Sequence, residues 1–474
     1  MAFTMRSLAA HASIGYYRGM IDEHLCARFA CPRCDSKLVA HPDGLLSVGS
    51  KTVYPLLDEV PFLFAEPGVA LDEWRQRYHA REREIEQRRS VLQQALDEST
   101  LRAATRARLA HEDAALDAHA KELRDILSVL DTHQLAANHE TYLALRTRLP
   151  EDQGLVTYYA NLHRDWCWGD TENRQSVDLV SDAIGASGPG DLLVLGAGGG
   201  RLAYDLHQRF DHTLTFALDF NPLLMIAAKR LSAGETIDLH EFPIAPATSG
   251  DVAVQRTLAA PEAARPGLHW VLANALRPPF QPMSFDTLVT PWLVDVIDEP
   301  LPLQAQRWNR LLRTGGRWIW FGSHAFRSGG PLGEFSIEES QEIIAASGFS
   351  DIELVEAELP YMVSPANRHA RQERVVVMSM TKTADADAPG RHVALPDWLV
   401  DTSLPVPGSE SFQSQGMASR IHAFFFSMID GQRSLDEMAL LMEQERLMPK
   451  SEGVATLRNF LIRALAVSEG YSAL

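Results

Sequence analysis

The stretch Asp191–Asn221, DLLVLGAGGGRLAYDLHQRFDHTLTFALDFN, restricts what this chain can fold into more than any other. A short apolar run, Leu192 to Leu195, leads into Gly196-Ala197-Gly198-Gly199-Gly200. An amphipathic run from Arg201 to Phe210 follows, and a second β-like run, Leu214 to Leu218, ends at Asp219. Strand, glycine turn, helix, then a strand with an acid at its tip is the opening of a nucleotide-binding βαβ unit. The glycines allow a tight turn with positive φ and let the backbone approach a ligand that a Cβ would push away. A carboxylate at the tip of the second strand can accept two hydrogen bonds from a ribose diol.

At 474 residues the chain is long enough for two to four domains, and its 46% hydrophobic, 22% charged composition is globular. No apolar run approaches the ~18 residues that span a bilayer, and the N-terminus lacks a signal-peptide core. Four cysteines in such a chain do not make a disulfide scaffold, so a reducing cytoplasm is the expected setting. The net charge of −18 argues against a general nucleic-acid binder, which needs a basic face to displace counterions.

Residues 1–66 carry a CxxC knuckle, Cys31-Pro-Arg-Cys34, with His24, Cys26 and His41 nearby. Zinc needs four ligands, and one CxxC supplies two. Leu45 to Phe64 resembles the end of the small zinc ribbons attached to methyltransferases. Ser47 and Gly49 stand where such ribbons place a second cysteine pair, so a ribbon that folds on apolar strands without metal is expected. Residues 67–150 change character: between Leu71 and Leu130 glycine and proline are absent, and apolar residues recur at helical spacing (Leu92, Ala95, Leu96; Leu123, Ile126, Leu127, Leu130). This predicts a helical hairpin broken near Asp97–Thr100, with Ser99 or Thr100 capping its second helix. The arginines of 81–89 alternate with Glu82, Glu84 and Glu86, as on a solvated face with i,i+4 pairs. Such a hairpin braces the domain or makes a dimer.

From 151 to 383 strands and helices alternate, the doubly wound arrangement whose ligands sit outside the carboxyl ends of the strands. Leu268–Ala273 ends at Asn274, whose amide can read an adenine edge. Ser284–Thr290 ends at Pro291-Trp292-Leu-Val-Asp295, Gly315-Gly316 turns the chain into Arg317–Phe321, and Phe349–Leu354 pairs with Arg374–Met380 at the sheet edge. A dinucleotide fingerprint, G-x-G-x-x-G, fails here because Arg201 follows Gly198 by three. The run G-x-G-x-G, with an acid after the next strand and Asn274 after the third, is the S-adenosylmethionine pattern. The hairpin after a GG turn belongs to the seven-stranded class I methyltransferase fold.

Four motifs carry a more specific resemblance: RDW-x-x-G at Arg164–Gly169, LGAGGGRLAYDL at Leu195–Leu206, FDTLVTPWLVD at Phe285–Asp295 and LLRTGGRWIWFG at Leu311–Gly322. Together with LPYMVSPANRHARQERVVV, Leu359–Val377, they resemble the carnosine N-methyltransferase family over half of the chain. The resemblance implies that Asn161, Arg164, Gly196 and Asp219 bind the methyl donor. Trp166, Ala197, Gly198, Gly200, Arg201, Asn221, Asn274, Ala275 and Pro291 complete the expected donor set. Trp292, Asp295, His324, Arg327 and Gln372 would shape the acceptor pocket, with Asp295 and His324 as the catalytic pair. The family places a histidine where an ungapped match puts Arg327, and His324 lies three residues earlier. Its aromatic run before the last strand is replaced by Ala370-Arg371-Gln372. The implied acceptor is a histidine-containing dipeptide, small molecule or peptide. Neutral imidazole has a lone pair at pH 7, so the reaction needs no strong base. Asp295 would accept one ring N–H, turn the other nitrogen toward the sulfonium methyl, and stabilise the developing cation.

Lys382 to Pro396 reads as a linker. In 397–474, Ala423–Leu465 reads as helix, DG turn and two amphipathic helices. It resembles the PqqD-like peptide-recognition fold with its winged-helix layout, which implies peptide capture by strand addition. A helical dimerisation module is the alternative, as is a non-catalytic scaffold for the chain as a whole.

Overall fold

The computed structural model describes residues 23–147, 149, 153–211, 214–326, 332–401 and 403–468. Its contacts divide the chain into two units, Met1–Pro396 and Asp397–Leu474. The first opens with a three-stranded antiparallel sheet (Leu38–His41, Gly44–Ser47, Val53–Tyr54). Two long helices follow, α1 (Pro67–Leu96) and α2 (Ala103–Leu127). The α/β part then alternates α3 (Asp170–Ile184), β1 (Leu192–Leu195), α4 (Arg201–Arg209), β2 (Thr215–Asp219), α5 (Pro222–Ser232) and β3 (Leu268–Leu272). β4 (Phe285–Pro291), α6 (Leu301–Leu311), β5 (Leu312–Gly322), α7 (Ile337–Ala346), β6 (Phe349–Tyr361) and β7 (Arg371–Lys382) complete it.

The sheet order is β3-β2-β1-β4-β5-β7-β6. The first five strands are parallel, and β7 runs antiparallel to both neighbours. This is the mostly parallel seven-stranded α/β sheet expected from the strand spacing. β1, LLVL, is buried at every position, as a strand covered on both faces must be. Alternation sends Leu192, Val194, Ala217, Val289 and Ile319 to one face, where α3, α4, α5 and the α1–α2 hairpin pack. Leu193, Leu195, Phe216, Leu218, Leu288, Trp318 and Trp320 go to the other, against α6, α7 and the knuckle residues Cys26, Phe29 and Cys31.

The N-terminal ribbon therefore does not stand apart. Phe29 stacks on Phe280, the Ala30 N–H donates to the Pro279 carbonyl, and the Leu63 N–H donates to Leu272 at 2.7 Å beside a parallel bridge between Phe62 and Leu272. Hydroxyls surround the knuckle sulfurs: Cys31 Sγ lies 3.2 Å from the Tyr54 hydroxyl, and Cys34 Sγ lies 3.2 Å from Ser36 Oγ and 3.8 Å from Ser47 Oγ. Among the described residues no three His, Cys, Asp or Glu gather as a metal site.

The helical hairpin breaks where expected, but its cap differs. Arg102, not Ser99 or Thr100, is the N-cap of α2, and no side chain caps it. The charge pattern also differs in detail, because Arg88 pairs with Glu112 and Arg89 with Asp113 and Asp117 across the hairpin. Within α1, Arg81–Glu84 and Arg89–Glu86 pair at i,i+3 spacing.

The expected linker 382–396 is instead a strap fixed along the α/β part. Asn309 bonds Ala384 and Ala386, and Arg391 pairs with Asp35. The Ala394 N–H donates to Arg146. In the second unit α8 (Glu410–Ser427), α9 (Leu435–Gln444) and α10 (Lys450–Ser468) follow the expected order, with Asp430–Gly431 at the turn and Gly431 at φ +74°. Among its described residues there is no strand, so neither a winged-helix wing nor an edge for strand addition is present. Among the described residues no helix is long and apolar enough to cross a membrane.

Candidate active site

A cleft of about 520 Å³ opens at the carboxyl ends of β1, β2, β3 and β4, within the size range of small-molecule sites. Gly196, Ala197 and Gly198 form its floor. Gly198, at φ +58°, has no atom within 4 Å of where a Cβ would stand, so the loop leaves open space there. Asp219, at the tip of β2, accepts the Gly198 N–H at 3.0 Å through Oδ2 and the Asn221 N–H at 3.0 Å through Oδ1. Burial pushes its carboxyl up to about 6, and these backbone donors only partly offset that. A buried carboxylate with unused lone pairs facing a glycine cradle suits a neutral diol.

The RDW motif works mainly behind the loop. Residues 164–168 form one wide turn, closed by the Gly169 N–H on the Arg164 carbonyl at 2.8 Å. Asn173 Nδ2 donates to the carbonyls of Arg164 and Asp165. Trp166 is not a cleft residue. It is buried, its indole N–H donates to the Gly199 carbonyl at 2.7 Å, and its ring packs edge-on against Tyr204. Arg201 likewise donates to the Asp165 carbonyl and pairs with Asp205, and Gly200 at φ +91° lies against Trp270 rather than the cleft. Asn221 caps α5 by accepting the Leu223 N–H and donates to the Leu155 carbonyl. These four expected donor contacts are supports of the loop and of β2, not lining.

Asn161, Arg164, Asn274, Ala275, Pro291 and Trp292 do line the cleft. Arg164 is already neutralised there, by Asp165 at 2.7 Å and Glu172 at 3.2 Å. Trp292 is held at φ +51°, a left-handed conformation uncommon for a bulky residue, and donates its N–H to the Phe321 carbonyl. Gly322 makes room for it, because a Cβ there would lie 2.9 Å from Trp292 N. Tyr361 packs 4.8 Å from Trp292, and Glu172, whose carboxyl burial raises against the pull of Arg164, accepts the Met362 N–H.

The expected catalytic pair lies beside the cleft lining. Asp295 is 7% exposed; its Oδ2 accepts the Ala325 N–H at 2.8 Å, while its Oδ1 is buried without a hydrogen-bond partner. His324 stacks flat on Trp320, 5.2 Å between rings, and its Nε2 meets Ser340 Oγ at 2.9 Å. That stacking directs its ring into the α6–α7 layer, and His324 does not line the cleft. Gln372 is also absent from it, since the register Pro360↔Gln372 leaves it exposed on the β6–β7 hairpin. Arg327 lies outside the described residues.

Sequence reasoning missed Glu172, Asn173 and Ser176 on α3, Tyr158, Tyr361, and the strap residues His392, Val393 and Ala394. Glu172 falls in the first turn of α3, where acids are ordinary, so nothing in its spacing marks it as a wall residue. Nothing in the strap's composition marked it as a cleft wall.

No family model matches the chain, and no curated protein matches it either. Similar solved structures include an S-adenosylmethionine-dependent methyltransferase from Thermotoga maritima (16% identity over 48% of this chain and 97% of that one, TM-score 0.30). The N-methyltransferase NodS from Bradyrhizobium japonicum is similar at 11% identity over 46% and 99%, TM-score 0.31. Phosphoethanolamine N-methyltransferase 2 from Haemonchus contortus is similar at 12% over 53% and 61%, TM-score 0.32.

Proposed function

We propose that this protein is an S-adenosylmethionine-dependent N-methyltransferase acting on an imidazole nitrogen of a histidine-containing dipeptide, small molecule or peptide. The observation that carries the reading is Asp219, a buried carboxylate at the tip of β2, facing the open glycine cradle Gly196–Gly198 inside a cleft of cofactor size. The donor's ribose diol would meet Asp219, its adenine the tip of β3 at Asn274 and Ala275, and its methionine end the Asn161–Arg164 wall. The sulfonium would then lie toward Pro291 and Trp292.

The acceptor class is supported by the orphaned oxygen of Asp295. A buried carboxylate oxygen without a donor is costly, and an acceptor N–H would satisfy it. Its neighbours Leu293, Val296 and Ile297 line the cleft, so in this reading the imidazole reaches Asp295 by displacing them. With one ring N–H on Asp295, the other nitrogen holds its lone pair toward the methyl. In-line positioning of two bound molecules, worth ~7–11 kcal/mol in well-oriented systems, supplies most of the acceleration. Mass spectrometry after incubation with isotopically labelled donor and a panel of histidine-containing dipeptides and peptides tests this. Methyl incorporation on imidazole is expected; its absence from every imidazole acceptor overturns the acceptor class.

A peptide acceptor has separate support. The second unit exposes Met417 and Ile421 one turn apart on α8, with Phe412 and Phe426 on the opposite face, apolar surface that a peptide segment could cover.

A further inference from the structure

The strap after β7 supplies a wall of the cleft that lies outside the α/β elements. His392, Val393 and Ala394 line it together with Asn274, Ala275 and Leu276, which follow β3. The two segments are tied directly, because Arg277 donates to the His392 carbonyl from Nε at 3.1 Å and from Nη2 at 2.6 Å. β3 is the next strand outward from β2, so a ligand whose ribose sits on Asp219 brings its base to this junction.

An adenine there presents ring-nitrogen acceptors and one exocyclic amino donor. Asn274 answers only part of that pattern. Its Oδ1 already accepts the Leu276 N–H at 2.8 Å, which leaves it one lone pair, and its amide nitrogen can only donate. The amino group carries two hydrogens, so beside that one lone pair it has room for a second acceptor. His392, on the facing wall, can supply one. Its Nδ1 lies 3.3 Å from Glu299 Oε1, and Glu299 is fixed by two bonds from Arg307, at 3.1 and 2.6 Å. A carboxylate on Nδ1 holds a proton on that nitrogen, so in the neutral ring Nε2 keeps its lone pair.

Building on the donor reading above, we infer that His392 is an adenine-reading residue, accepting the exocyclic amino hydrogen through Nε2 while Asn274 donates to a ring nitrogen. The strap thereby makes a segment beyond the catalytic sheet part of the donor site. Purines lacking the amino group bind poorly, since Nε2 then loses its partner.

Calorimetry on the full chain tests this with two ligands, S-adenosylhomocysteine and its 6-deamino analogue, in which hydrogen replaces the amino group. The wild type is expected to bind the analogue about tenfold more weakly. His392→Ala should weaken S-adenosylhomocysteine by about the same factor, leave the analogue unchanged, and keep the thermal melt of the parent. His392→Gln, which places an acceptor near the position of Nε2, should recover most of the loss. Unchanged S-adenosylhomocysteine affinity in His392→Ala overturns the proposal, and so does equal weakening of both ligands, which would make His392 a packing residue. If the wild type binds neither ligand, the donor reading itself fails, an outcome distinct from the other two.

Discussion

At the glycine-loop end of the cleft the polar groups already have partners before any ligand arrives. Gly198 and Asn221 donate to Asp219, Gly196 and Ala197 donate to the Leu218 carbonyl, and Trp166 and Arg201 hold the loop from behind. At the Trp292 end Asp295 keeps an oxygen without a partner, Trp292 sits in a left-handed backbone, and Glu172 is a carboxyl raised by burial. The first region is braced by hydrogen bonds within the protein; the second keeps an unpaired buried oxygen. The contrast fits a common donor held in one fixed pose and an acceptor that must be admitted and then clamped.

Substitutions that respect this division should behave very differently at the two ends. In the proposed donor pose Asp219 accepts two charge-assisted hydrogen bonds, so for Asp219→Ala calorimetry should show the affinity falling by about 10²–10⁴-fold. An unchanged affinity would remove Asp219 from the site. Asp295→Asn should leave donor affinity intact and lower kcat by about 10²–10³-fold; a loss of donor binding instead would merge the two regions. Within the loop, Gly200→Ala puts a Cβ 2.6 Å from Trp270 at φ +91°, and denaturant unfolding should register a loss of ~2–4 kcal/mol. Gly198→Ala, with open space around it, should cost only the backbone strain of ~1–2 kcal/mol yet still block the donor.

The pH response separates binding from stability at one residue. Folding raises the Asp219 carboxyl from 3.8 to about 6, so the folded state holds this proton more tightly than the unfolded one. Its contribution to stability therefore falls as pH rises from about 4 to 6. Donor affinity runs the opposite way, because the diol needs the carboxylate, and should drop about tenfold per unit well below pH 6. Melts of wild type against Asp219→Asn isolate the first slope, and calorimetry across pH 5–8 measures the second. At the small end, Arg88→Ala on the exposed hairpin face should change stability by less than ~0.5 kcal/mol in a thermal melt.

What could be read from the sequence follows the same division. The β1–loop–α4–β2 unit is contiguous, so its strand pattern, its glycines and the acid at its end are all visible within one stretch. Asn274, Pro291 and Trp292 were also legible, because strand tips are where an α/β sheet places ligands. Trp166, Arg201 and Asn221 bond the backbone behind the loop and β2, and sequence does not show which side of a turn a side chain takes. The remaining wall joins Glu172, Tyr361 and His392, brought together only by the β6–β7 hairpin and the strap, and no local pattern records a contact between such distant segments. His324 stacks on Trp320 and meets Ser340, contacts that its place three residues before Arg327 does not record.

The pairing of Phe62 and Leu63 with Leu272 has a consequence for how the chain is made. β3 would otherwise be an open sheet edge, a template for joining another chain, and Phe62–Leu63, directly after the short strand Val60–Pro61, covers it. The covering segment leaves the ribosome long before β3 is synthesised, so it must wait, exposed and unpaired, for its partner. Closing so long a loop late in assembly slows folding and leaves apolar Phe62 and Phe64 free to associate in the meantime. The α1–α2 hairpin, whose contacts are local, can form during that interval and shelter them.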